Sequence, residues 1–327
     1  MYETEQQFQK ASEIALRDCM GLQPNETLLI VTDEIKREIG LQLHEVGKTL
    51  CKESILVEIK SREINGQEPP AVVAEMMKKV DVVVCPTAKS LTHTDARRNA
   101  VKESVRFGTM PGISKDIMIR CLNADYDKII ELTDFIAKKL IGVKNIRVVT
   151  SKGTDITMPV ENRNILPSTG VLREKGASGN LPSGEVYLAP WEDKTNGRLV
   201  IDGSVAGIGM VETPITIDII NGYAEKIEGG AEAQKLIETL DKSGRDARAV
   251  AEFGIGTNYK AILTGQILED EKVYGTIHIA FGNNLTMGGK IAVSSHIDGL
   301  VKDPDVYFDN NLVMAKGKII GYDLKIF

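Results

Sequence analysis

Short β-branched runs separated by long amphipathic stretches constrain the first half of this chain to a parallel sheet with helices packed on it. TLLIVTD (27–33), SILVEIK (54–60), VDVVVCPT (80–87) and NIRVVT (145–150) read as strands. The segments 34–52, 71–80, 94–107 and 125–142 carry apolar residues at helical spacing. Strands joined through helices need crossover connections, and these make their neighbours parallel. After about residue 150 the texture changes. Gly, Asn and Pro punctuate short strands at 184–190, 197–207, 215–222, 274–282, 288–298, 305–309 and 317–325, and one clear helix lies at 232–243. That pattern predicts a mixed or antiparallel sheet. The expected fold class is α/β plus α+β: an N-terminal α/β domain with a mostly parallel sheet over 1–150 and a C-terminal β-rich domain over 151–327. A chain of 327 residues is long for one ordinary core and suits two.

Several function classes drop out at once. The net charge is −6, from 40 basic and 46 acidic residues without a basic block, so no nucleic-acid partner is expected. No apolar stretch approaches the ~18–20 residues of a membrane span, so no membrane partner is expected either. MYETEQQFQK has no basic n-region or apolar h-region, which predicts no signal peptide. Cys19, Cys51, Cys85 and Cys121 lack CxxC spacing and read as reduced thiols, so a cytoplasmic location is expected. GxGxxG and GxxxxGK[ST] are absent from the strand–helix junctions, as are HExxH and GxSxG from the chain. Cys85 sits in an apolar strand, where a thiol is structural rather than nucleophilic.

The four histidines are the first place to look for chemistry. His44 falls in mid-helix and His93 in a Thr-rich loop, both ordinary structural positions. His278, in GTIHIAFG, alternates with Ile277 and Ile279 and so faces the other way from them. His296 and Asp298 form an H-x-D that a strand would place on one side, ~6.5–7 Å apart, spaced to pinch a metal ion. Glu185 in NLPSGEVYLAP and Glu252 in AVAEFGIGTN are carboxylates in apolar, glycine-rich settings, costly to bury without a cation. Singly, an H-x-D is more often a solvated pair, and a strand-end glutamate more often points into water. As a set, two imidazoles and three carboxylates without a thiolate match zinc, cobalt, manganese or iron(II), and five ligands suit a two-metal centre. Arg97, Arg98, Lys102 and Arg106 read as a solvated helix face, and Tyr187, Trp191, Tyr259 and Phe281 as packing or pocket walls.

At these residues the sequence resembles the aminopeptidase T/aminopeptidase S family of metallopeptidases, in LPSGEVYLAP, AEFGIGTN, GTIHIAFG, SHIDGLVKDPDV and the N-terminal phrase THTDARRNAVKESVRFGTMPGI. The resemblance implies a homodimer and a β-rich metal-binding domain in which Glu185, Glu252, His278, His296 and Asp298 hold two divalent ions (Zn, Co or Mn). It implies a hydrolase: a metallo-aminopeptidase with a peptide substrate, a metal-bound hydroxide as nucleophile, and Glu185 or Glu252 as catalytic proton acceptor. The family's tyrosine after the first histidine is missing from FGNNLTMGG (281–289), and the segment between His278 and His296 is short. The same fold also resembles 2,5-dihydroxypyridine dioxygenase, a ring-opening enzyme with one iron(II). In that alternative His278, His296 and Asp298 form the triad, and Glu185 and Glu252 act around it. A metal-binding homologue without peptidase activity is a third reading.

Overall fold

The computed structural model describes residues 2–323. It divides into two compact units. The first takes the chain up to Asp125 together with Gly170–Ser183. Its sheet runs β2 (Glu53–Ile59), β1 (Thr27–Asp33), β3 (Val82–Cys85), β4 (Arg106–Thr109), β8 (Ser178–Asn180), with every pairing parallel. The inner strands are buried almost throughout, which is why they read as continuous apolar runs rather than alternating ones. Its helices are α1 (Tyr2–Glu13), α2 (Arg37–Leu50), α3 (Ala71–Met77), α4 (Asp95–Lys102) and α5 (Lys115–Leu122). Thr94 and Ser114 cap α4 and α5, their hydroxyls each accepting a backbone N–H at 3.2 Å.

The stretch 94–107, expected as one helix, breaks after Lys102: Ser104 takes a left-handed φ of 68° and the chain enters β4. Arg106 therefore leaves the solvated face expected for it. It is buried, donates to the carbonyls of Met20 (2.9 Å) and Gly21 (2.7 Å), and pairs with Glu26.

The second unit holds Tyr126–Thr169 and the chain from Gly184 onward. Packing thus divides the chain at Asp125, although the texture of the sequence changes near 150. The reason lies in α6 (Tyr126–Leu140) and β5 (Asn145–Val149), whose apolar residues Leu132, Ile136, Ile146 and Val148 enter the second unit's core.

One antiparallel sheet there runs β14 (Tyr223–Glu228), β13 (Ile215–Ile220), β10 (Asn196–Ile201), β6 (Asp155–Pro159), β5, β18 (Asp305–Phe308), β19 (Asn311–Ala315), β20 (Lys318–Ile319). The other runs β12 (Gly209–Met210), β11 (Ser204–Val205), β17 (His296–Val301), β16 (Ile277–Gly282), β15 (Val250–Gly256), β9 (Glu185–Leu188), β7 (Leu166–Ser168). Both sheets, with α6 and α7 (Ala231–Lys242), feed one core.

The stretch 288–298, expected as strand, is extended only from His296. The loop before it is tied down by Glu192, whose Oε1 accepts from Asn284 Nδ2 (2.9 Å), Lys290 N (2.9 Å) and Arg163 Nη2 (3.1 Å). Of the strand expected at 317–325, only Lys318–Ile319 is extended, and residues 324 and 325 lie outside the described ones. The fold is mixed α/β, one parallel sheet accompanied by antiparallel ones. Among the described residues no helix is long and apolar enough to cross a membrane.

Candidate metal centre

Register places the five candidate residues on one face of four adjacent strands, β9-β15-β16-β17. Glu185 pairs with Gly256 and Tyr187 with Gly254; Gly254 pairs with His278 and Glu252 with Ala280; Asp298 pairs with Ala280 and His296 with Gly282. Side chains alternate along a strand, so directly paired residues share a face. The opposite face carries Val186, Leu188, Phe253, Ile255, Ile277, Ile279, Phe281 and Ile297, all part of the core. Phe281 is therefore a packing residue, whereas Tyr187 stands on the polar face.

Small residues on the polar face make room for these side chains. At Gly254 a Cβ would collide with the Nε2 and Cε1 atoms of the His278 ring. Gly256 admits the backbone of Lys272 and Val273, which a Cβ would strike.

The side chains converge. His278 Nε2 lies 3.2 Å from Glu252 Oε1 and 3.5 Å from Glu185 Oε2; His296 Nε2 lies 3.1 Å from Glu252 Oε2 and 3.5 Å from Asp298 Oδ1. Two overlapping groups result, Glu185–Glu252–His278 and Glu252–His296–Asp298, with Glu252 common to both. All but His296 are buried, and its side chain, 26% exposed, marks the open side.

Charge follows geometry. Burial opposes the charge of Glu252, yet hydrogen bonds with His278 and His296 hold its carboxyl well below the usual range. Burial likewise opposes a charged His278, but the bond to Glu252 and the charges of Glu185 and Asp298 push it up to about 9. His296 rises well above its ordinary value for the same reason, Asp298 first among its partners.

The donor set suits a metal on its own chemistry. Glu185 Oε2 is buried without a hydrogen-bond partner. His296 Nδ1 is 2.8 Å from the carbonyl of Asn283, which fixes that nitrogen as an N–H and leaves Nε2 to face the carboxylates, with a proton between them or a cation in its place. Two imidazole nitrogens and three carboxylates brought this close are a donor set that suits a divalent cation in place of the imidazole protons.

Two residues beside the cluster escape sequence reasoning. Lys272 is fully buried with Nζ 2.9 Å from Glu185 Oε1, and it also pairs with Glu271. Burial works against its charge, but the two carboxylates outweigh it and keep the ammonium protonated. Burial pushes the Glu271 carboxyl up to about 8 against the pull of Lys272. In ILEDEKVYG these residues look like an ordinary charged helix end; only the close-approach Gly256 hints that this backbone enters the site. Burial, then the Glu185 charge, raises the Tyr187 phenol, which stays protonated.

The other candidates are structural. His44 Nδ1 sits 3.0 Å from Ser54 Oγ, and His93 lies in the first unit, where its carbonyl accepts from Arg98. Trp191 stacks under the Arg163 guanidinium at 4.7 Å and donates to the Glu161 carbonyl. Burial raises the Cys85 thiol, which removes it as a nucleophile.

Comparison with known proteins separates the two chemistries. The family profile of NicX, 2,5-dihydroxypyridine 5,6-dioxygenase, matches residues 9–321. A 2,5-dihydroxypyridine 5,6-dioxygenase of Pseudomonas putida is 25% identical over 195 residues, a match spanning 54% of this chain and 54% of that relative. The solved structure of 2,5-dihydroxypyridine dioxygenase from Pseudomonas putida KT2440 shares the fold with a TM-score of 0.84 at 18% identity, covering 98% of each chain. Wild-type AmpT from Thermus thermophilus shares it at 0.71 and 15% identity, covering 97% of this chain and 99% of that one.

These matches overturn the expected metallo-aminopeptidase, and with it the hydrolase class and the peptide substrate. The physical reason is that imidazoles and carboxylates on a sheet face serve both chemistries, on a fold that both structures share. The chain belongs to the 2,5-dihydroxypyridine 5,6-dioxygenase family.

Proposed function

We propose that this member of the 2,5-dihydroxypyridine 5,6-dioxygenase family is an iron(II)-dependent dioxygenase that opens a dihydroxylated pyridine ring. The observation that carries the reading is the approach of two imidazole Nε2 atoms to a single carboxylate, Glu252, at 3.2 and 3.1 Å, with Asp298 alongside. His278, His296 and Asp298 would hold the metal, with Glu252 as the carboxylate common to both imidazoles. The second, β-rich unit is then the metal-binding one.

When bound, iron(II) supplies the redox chemistry by which dioxygen reacts with an electron-rich ring. The chain's own residues handle protons and position. A hydroxylated ring must shed a hydroxyl proton to become electron-rich, and Glu185 Oε2, buried and without a hydrogen-bond partner, is placed to accept it. Glu185 Oε1 is meanwhile held by Lys272, so the accepting oxygen keeps its orientation. Tyr187, on the same face and kept protonated, offers a phenol as a hydrogen-bond donor. The core side chains behind the strands keep water from that side of the cluster.

The test is anaerobic loading with iron(II), then oxygen uptake and loss of ring absorbance on adding 2,5-dihydroxypyridine. One oxygen consumed per ring lost is expected; iron-loaded protein that leaves the ring intact removes the proposal. Homodimeric assembly belongs to the same proposal, and sedimentation at the single-chain mass of 35.8 kDa would remove it.

A further inference from the structure

Lys272 brings a full positive charge into the interior, directly beside a cluster already suited to cations. Its Nζ is 2.9 Å from Glu185 Oε1, and its side chain has no exposure. The cluster it borders comprises two overlapping groups, each with one imidazole and two carboxylates, enough for one divalent ion apiece. They are not equivalent. In the Glu185–Glu252–His278 group, Glu185 is already ion-paired; in the Glu252–His296–Asp298 group no ammonium intrudes among the described contacts. An ammonium hydrogen-bonded to Glu185 repels a dication on that same carboxylate, and burial leaves little water to screen the repulsion.

We propose that Lys272 is the second cation of the centre: its ammonium neutralises Glu185 and confines the site to a single divalent ion on the side of Glu252, His296 and Asp298, with His278. Lys272 is a positioning residue, acting through Glu185. The inference rests on the cluster being the metal site, but not on the ring-opening reaction.

The experiment therefore uses manganese(II), without substrate or oxygen. The full chain is stripped with chelator and titrated with Mn²⁺, with stoichiometry from equilibrium dialysis and spin coupling from electron paramagnetic resonance. The wild type should retain one ion per chain with an uncoupled signal. Lys272→Met should retain two, the second bound at least tenfold more tightly than any second ion in the wild type, with a spin-coupled signal. The double variant Lys272→Met, Glu185→Gln should return to one. Two tightly held ions in the wild type overturn the proposal, as does a folded Lys272→Met chain that still takes only one.

Should Lys272→Met fail to fold, Glu185→Gln alone decides. Retention of the single ion within about tenfold affinity supports the assignment, and loss of that ion overturns it. Failure of ring opening would appear only in oxygen uptake and leave these counts untouched.

Discussion

Replacing Gly254 by alanine tests the site through an atom that no ligand contains. Gly254 lies opposite His278 in the β15–β16 pairing, and a Cβ there would occupy the position of the imidazole's Nε2 and Cε1. A strand backbone flanked by β9 and β16 cannot retreat, so the ring must turn away and Nε2 leaves the cluster. Loss of an imidazole donor should weaken metal binding at least a hundredfold, about 2.7 kcal/mol. Crowding a closely packed site should cost a further ~1–3 kcal/mol of folding stability. Competition of Mn²⁺ against a chelator reads the first quantity, and urea denaturation followed by circular dichroism the second. Adding His278→Ala to Gly254→Ala separates cause from accident. If the alanine acts through the ring, the double variant binds metal no worse than either single one and recovers part of the lost stability. Metal affinity within threefold of wild type in Gly254→Ala would refute the reasoning.

His296→Ala should abolish metal retention and turnover while leaving the thermal unfolding of the first unit in place; unchanged metal content by elemental analysis contradicts the assignment. Arg106→Met strands the Glu26 carboxylate and two backbone carbonyls, and a loss of ~3–5 kcal/mol is expected in urea unfolding; a loss below 1 would count against a buried role. Burial opposes the charge of Glu192, but the N–H groups of Lys290 and Asn284 and the charge of Arg163 hold its carboxyl below the usual range. A depressed folded value stabilises above the ordinary carboxylate range and fades as pH falls through it. Glu192→Gln should therefore cost ~2 kcal/mol at pH 7 and progressively less below about pH 4; a gap that persists at pH 3 removes the ionised carboxylate from the explanation.

Much of the first unit could be read from residue patterns because its inner strands are uniformly apolar: TLLIVTD coincides with β1 residue for residue. RFGT did not announce β4, since a four-residue strand following a helix has no period of its own, and the break at Ser104 depends on a backbone angle. The five candidate residues were legible because polar side chains at alternate positions of apolar strands are rare, and the register brings all five to one face. Lys272 and Glu271 were not, because tertiary approach across Gly256 rather than local pattern carries them inward. The reaction was not legible either, for donor type alone does not separate a hydrolase from an oxygenase.

Every donor of the centre sits at an alternate position of its strand, backed by a core residue one step along. A one-residue slip in any of the β9, β15 or β17 pairings would swap a carboxylate or imidazole for Val186, Phe253 or Ile297 and drive charge into the hydrocarbon interior. The cluster of imidazoles and carboxylates can thus be assembled only by a correctly zipped sheet. A metal ion held there, as proposed, would double as proofreading of the fold.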